Sequence, residues 1–215
     1  MSTFTLAIGR PTLADRVFSR TIAVDMVLIA AGAALTAIAA QLVIPLWPVP
    51  ITGQTFAVLF VGATLGPIRG ALALGLYLLI GVFGLPVFAA GGSGSLIGST
   101  SGGFVIGFIF AAALVGWLAQ REWDRKVVGT IVAFLAGTVV MYAFGLPWLH
   151  AVLTTFPAEV MTQYFGTTDV LQATLTGGLY PFLVGDAVKA LLAAGILPLA
   201  WKLIARADAR KEAAE

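Results

Sequence analysis

Long apolar runs, separated by short turns that hold nearly all of the charge, organise this chain. Six such runs emerge: Ile22 to Trp47, Gly53 to Leu65, Gly70 to Phe83, Phe104 to Ala119, Val127 to Leu149 and Tyr180 to Lys202. A helix needs about 20 mostly apolar residues to cross roughly 30 Å of hydrocarbon, and the first, fifth and last runs reach that length. The second and third, on either side of Gly66-Pro67-Ile68-Arg69, are shorter than a full span, which predicts tilt or a locally thin membrane. Gly62, Gly66 and Gly70 recur every four residues and predict close backbone approach around that turn. Pro45, Pro48 and Pro50 end the first helix. The polar stretch His150 to Gly178 predicts one short interfacial helix near Pro157 to Phe165. The expected fold is all-α: a polytopic integral membrane protein with a six-transmembrane-helix bundle. It forms a single domain, with a cytoplasmic lead-in over residues 1–20, the bundle over 21–206 and a tail over 207–215.

Composition agrees with the pattern. Of 215 residues 60% are hydrophobic and 10% charged, against roughly 25% charged in a soluble domain. A net charge of +2 gives no reason to expect nucleic acid, and the absence of cysteine excludes disulfides, thiolate metal sites and a cysteine nucleophile. His150 is the only histidine and falls in a polar connection; no H-E-x-x-H, G-x-S-x-G or Walker pattern is present. No catalytic residue, metal site or cofactor is expected, and this is not an enzyme sequence. Energy for any transport must come from a partner or a gradient.

Eleven of the twelve Lys and Arg residues lie in the lead-in, the Arg69 turn, the Arg121 to Lys126 turn and the region from Lys202 onward. Six spans bring those four regions to one face, and the positive-inside rule makes that face cytoplasmic, with both termini on it. The expected location is the cytoplasmic (inner) membrane, multi-pass, with lipid around it. A cleaved signal peptide would share the layout of basic residues, apolar core and Ala37-Ile38-Ala39, but the apolar run continues past that point.

The twelfth cation, Lys189, lies within the last run, three residues after Asp186. That spacing puts both on one helix face. Ionisable groups at membrane depth cost at least about 2.5 to 3.5 kcal/mol each, so they mark a substrate or ion site. A carboxylate accepts and an ammonium donates, so the pair can clamp a ligand that carries both N–H and C=O groups. Two other readings stand beside it: a closed pair that links helices, and a proton site at Asp186 in a solitary proton- or ion-coupled secondary carrier. On the same side lie Thr52-Gly53-Gln54, Tyr180 and the uncharged Gly/Ser segment Gly84 to Gly103. That segment lacks the Lys of a phosphate loop, and its apolar neighbours suit a cap over a cavity better than a tether. Ala30/Ala34 and Ala33/Ala37 make small-residue rows on the first helix, fit for a bundle contact or a docking face.

Four stretches, in order, resemble the BioY family, the biotin-specific S components of energy-coupling factor (ECF) transporters. They are Val49-Pro-Ile-Thr-Gly-Gln-Thr, Tyr77-Leu-Leu-Ile-Gly-Val-Phe-Gly-Leu-Pro-Val-Phe, the Gly/Ser loop running into Gly102-Gly103-Phe104, and Tyr180-Pro-Phe-Leu-Val-Gly-Asp-Ala-Val-Lys. The resemblance implies high-affinity capture of biotin, then delivery with a membrane coupling protein and cytoplasmic ATPase subunits. It puts Asp186 and Lys189 on the ureido head and makes Gln54 and the loop positions Gly91, Gly94 and Ser95 further pocket elements; Thr52 and Tyr180, which converge on the same side, complete the expected ligand-binding set. It also implies that Ala30, Ala34 and Ala37 dock on the coupling protein. One departure stands out: where the family usually has Gly-Pro-Thr-Gly-Gly, this chain has Ser99-Thr100-Ser101-Gly102-Gly103.

Overall fold

The structure, a computed structural model, describes residues 5–6 and 9–212. In hydrocarbon every backbone N–H and C=O needs an internal partner, so apolar runs become helices. A short helix α1 (Leu13–Val17) precedes α2 (Ile22–Ala39), which is capped by Thr21 accepting from the Val24 N–H at 3.4 Å. The apolar run continues to Trp47, but the helix ends at Ala39, where the Gln41 and Leu42 N–H groups turn back to the Ile38 and Ala39 carbonyls. Instead the chain turns back through a small antiparallel pair, β1 (Val43–Ile44) and β2 (Ile51–Thr52), with Val43 opposite Thr52. Helices α3 (Gln54–Leu65) and α4 (Pro67–Val82) meet at Gly66, whose φ of +88° only glycine adopts freely; Pro67 then opens α4 without wasting an N–H. After a long loop come α5 (Gly102–Ala119) and α6 (Val127–Leu153), then α7 (Ala158–Phe165) and α8 (Val170–Gly178). The last helix, α9 (Tyr180–Glu212), continues through Pro198. The polar connection thus holds two helices where one was expected. The second, α8, begins at Asp169, whose carboxylate caps the N–H groups of Leu171 and Gln172.

Four stretches are long and apolar enough to cross a membrane: α2, α5, α6 and the run Val170–Arg210. Helices α3 and α4 are shorter, at 12 and 16 residues. The protein is a nearly all-helical, multi-pass membrane protein. Its packing is inside out compared with a soluble domain: Val27, Val139 and Val184 are exposed, whereas Asp25, Gln54, Arg69 and Asp186 are buried. Helix α5 lies at the centre, against α3, α4 and α6. Small residues let it do so, since a Cβ on Gly62 would lie 2.4 Å from the Ala112 carbonyl oxygen and one on Gly116 would lie 2.4 Å from the Gly66 backbone.

The charged regions collect at one end. Arg16 pairs with Asp208 at 2.6 Å, Arg10 with Glu122 at 3.4 Å, and Trp201 Nε1 donates to Asp124 Oδ2 at 2.6 Å. Beneath them Arg69, only 2% exposed, reaches Asp15 at 2.8 Å and Asp25 at 3.2 Å, and donates to Thr12 Oγ1 and the Leu65 carbonyl. Asp25 also accepts from the Leu6 N–H at 2.7 Å and from Thr5 Oγ1. Burial pushes the Asp15 carboxyl up, but the Thr12 N–H, Arg69 and Arg20 together hold it below the usual carboxylate range. The described part of the expected lead-in is therefore packed, with Leu13 and Ala14 buried, while residues 1–4 and 7–8 of it lie outside the described residues. The opposite end holds the β-hairpin, the loop between α4 and α5, and α7, where Trp47 lies against Phe156, Tyr164 and Phe165.

Asp124, in the turn between α5 and α6, gives a pH prediction. Burial raises its pKa to about 6 from 3.8, partly offset by the Trp201 hydrogen bond and the Arg125 charge. As pH rises from about 4 through 6, the unfolded chain loses this proton before the folded one does, so folding is disfavoured progressively and the cost is complete above about pH 6. Asp124→Asn, which keeps an oxygen for Trp201, should therefore melt at a higher temperature than the parent above pH 6, with the difference closing towards pH 4. A constant difference between pH 4 and 8 in detergent would count against this assignment.

Candidate functional site

The polar residues at the start of α3, the cap loop, the first turns of α5 and α9 and the middle of α6 enclose a cavity of about 310 Å³. That volume is at the small end of ligand pockets. Its wall is apolar where Phe88, Leu96, Phe104, Phe108, Met141 and Phe182 face it. Among the described residues, Asp186 and Lys189 are its only charged lining residues.

Helix α9 carries both, three residues apart and thus on one face. They form an ion pair at 3.4 Å, and each also has a partner on another helix. Lys189 Nζ lies 2.6 Å from Thr55 Oγ1 and 3.4 Å from Asp186 Oδ1, while Asp186 Oδ2 accepts a hydrogen bond from the Tyr142 hydroxyl on α6. Thr55 and Tyr142 thus pull the ammonium and the carboxylate towards different helices. Lys189 has three protons, of which Thr55 and Asp186 use two, and the Asp186 oxygens have lone pairs to spare. An acceptor site and a donor site therefore stand side by side in an apolar chamber, where hydrogen bonds to charged groups are worth more than in water.

Gln54 is 6% exposed and lines the cavity, yet its side chain is already engaged. Its Oε1 accepts from Thr52 Oγ1 at 2.9 Å and its Nε2 donates to the Tyr77 hydroxyl, which donates on to the Val87 carbonyl at 3.1 Å. One Nε2 proton remains. The chain of bonds ties the cavity wall to the cap loop. The loop is also held by Thr100 Oγ1 donating to the Pro48 carbonyl at 2.6 Å and by Trp148 Nε1 donating to the Ser99 carbonyl at 2.8 Å. The Ser99-Thr100-Ser101 departure thus lies where the loop is pinned, and all three residues line the cavity.

Of the positions singled out from sequence, the cavity brings together Asp186, Lys189, Gln54, Thr52 and Ser95. Tyr180, Gly91 and Gly94 are not on its wall. Tyr180 is 54% exposed; it precedes Lys189 by nine residues, about 180° round a helix, so it faces away. Gly91 donates its N–H to Gln41 and Gly94 to the Gly81 carbonyl, so both shape the loop. On α2, Ala30 and Ala34 are exposed and Ala37 half-buried, while Gly32, Ala33 and Thr36 face the bundle. Sequence reasoning missed Tyr142 and Thr55. The signal for Tyr142 was its depth: tyrosines favour the interface, and one in mid-span needs a partner for its hydroxyl.

A profile of the BioY family matches residues 11–206. The biotin transporter BioY of Rhizobium etli is 36% identical over 155 residues, covering 68% of this chain and 75% of that protein. The biotin transporter BioY of Thermotoga maritima is 36% identical over 163 residues, covering 75% of this chain and 86% of that one. Among solved structures, the S-component for biotin from an ECF-type ABC transporter superposes with a TM-score of 0.68 at 25% identity, covering 84% of this chain and 92% of that one.

Proposed function

Because the chain belongs to the BioY family, we propose that it captures biotin outside the cell and serves as the substrate-binding subunit for its uptake through an ECF-type transporter. The observation that carries this reading is the Asp186/Lys189 ion pair, with donor and acceptor capacity to spare, in the wall of a chamber otherwise uncharged among the described residues. The ureido ring of biotin has two N–H groups beside one carbonyl: Asp186 accepts from an N–H, and the free Lys189 proton goes to the carbonyl. The aromatic wall takes the thiophane ring and the first methylenes of the tail. Gln54, Thr52 and Ser95 supply further polar contacts, and the cap loop closes the mouth.

In this reading one membrane domain contains six membrane helices, with the short α3 and α4 crossing as a tilted pair. The end that gathers Arg10, Arg16, Arg69, Arg121 and Arg125 faces the cytoplasm, by the positive-inside rule, and the cavity faces outward. The partners are a membrane coupling protein and ATPase subunits, which dock on the exposed Ala30 and Ala34 side of α2 with Ala37 at its edge. The location is the cytoplasmic membrane.

Calorimetry on the purified protein should find one biotin site per chain, and Tyr180→Phe should leave its affinity within about twofold, as expected for an exposed side chain off the cavity wall. No heat of binding with biotin, or a different small molecule co-purifying in the cavity, would refute the reading. Uptake into liposomes that follows an imposed pH gradient without ATPase subunits would point to a proton-coupled carrier instead.

A further inference from the structure

At the end of the bundle away from the cavity, the turn between α5 and α6 folds into a groove of about 500 Å³. Arg121, Glu122, Arg125 and Lys126 line it together with Trp123, and Val128 and Val132 on the first turns of α6 continue it along the helix. Its charges are unequally matched. Glu122 is shared by Arg10 at 3.4 Å and Arg125 at 3.2 Å, and Arg125 also lies 4.3 Å over the Trp201 ring. Arg121 is held 3.6 Å from the Trp117 ring centroid, and among the described residues neither it nor Lys126 has a carboxylate within 4.0 Å. Two cations without counter-charges thus border one groove. No side chain caps the start of α6 there, so the helix dipole adds to the positive field.

The surroundings decide what kind of anion belongs there. Val128 is 72% exposed and Val132 43%, on a helix long enough to span a membrane, and Trp117 and Trp123 are also exposed. A soluble phosphate would meet only the cationic half of the groove. A molecule with an anionic head and an acyl chain would cover both halves, with tryptophan at the depth where indole rings settle in bilayers.

We propose that this groove is a binding site for an anionic glycerophospholipid, with Arg121 and Lys126 holding the phosphate headgroup and an acyl chain lying on Val128 and Val132. Each basic residue near a headgroup is worth about a fivefold preference. Native mass spectrometry of the full chain with equal phosphatidylglycerol and phosphatidylcholine should retain one phosphatidylglycerol with at least about fivefold preference. Lys126→Gln, a change at an exposed side chain without an ion-pair partner among the described residues, should reduce that preference, and Arg121→Gln/Lys126→Gln should remove it, with biotin binding unchanged. Arg206→Gln/Arg210→Gln, which lowers the charge of the same end outside the groove, should keep it. Equal retention of the two lipids would overturn the proposal, as would a preference unaffected by Lys126→Gln or equally lost in the Arg206/Arg210 variant. Glycerol 3-phosphate that displaces the lipid at millimolar concentration would show a site for soluble phosphate instead.

Discussion

Lys189→Met should weaken biotin binding by at least about 30-fold. The ammonium lies 2.6 Å from Thr55 Oγ1 and 3.4 Å from Asp186 Oδ1, so methionine fills its volume but donates to nothing. Two losses then add: the ligand carbonyl has no charged donor, and the Asp186 carboxylate, 7% exposed, keeps Tyr142 as its one remaining neighbouring donor among the described residues. Truncating one member of a buried hydrogen-bonded charge pair costs about 2 to 5 kcal/mol, which is roughly 30-fold to several thousandfold in Kd. Asp186→Asn should act similarly by replacing an acceptor with a donor towards ligand N–H groups. The double variant Asp186→Leu/Lys189→Met should bind no biotin yet melt no lower than either single one, because removing both charges ends the desolvation cost. Titration calorimetry and thermal melts would read both; single variants that bind within threefold of the parent would end the clamp assignment.

Arg69→Ala should be the most destabilising single change at the opposite end. It leaves Asp15 and Asp25 buried at 2.8 and 3.2 Å from an absent guanidinium, with the neighbouring Thr12 hydroxyl also short of a donor. Breaking a buried ion pair by removing one partner costs about 3 to 5 kcal/mol. For a chain of this size that lowers the melting temperature by about 10 °C. Arg69→Lys keeps the charge but not the fork that reaches both carboxylates, and should fall between the two. Biotin affinity of the surviving fold should not change. An Arg69→Ala protein that melts with the parent would mean that the network contributes nothing net.

Much of the fold was legible because the membrane simplifies the code. Apolar runs mark helices, and Gly66-Pro67 marks a sharp reversal for a stated steric reason. The ends were less legible: Pro45, Pro48 and Pro50 were expected to end α2, yet it stops at Ala39, before the β1/β2 pairing that no local pattern announces. At the cavity, three-residue spacing put Asp186 and Lys189 on one face, and the same arithmetic applied to Tyr180 would have turned it away. Thr55 and Tyr142 were missed because their roles exist only across helices: 134 residues separate Thr55 from Lys189 and 44 separate Tyr142 from Asp186. Arg69 was read only as a marker of sidedness. Its burial between two carboxylates could not be seen while residues 1–20 were read only as a lead-in, since Asp15 comes from that segment.

The contact between Asp15 and Arg69 spans 54 positions, and it sets an order of events during synthesis. The opening residues leave the ribosome first, yet the cation that seats them arrives only after α2 and α3 have been made. Until then Asp15 and Asp25 wait without their shared counter-ion, on a nascent chain already entering the bilayer. This end of the bundle is closed from α4 backwards, so the residues around Asp15 are among the last to find their place.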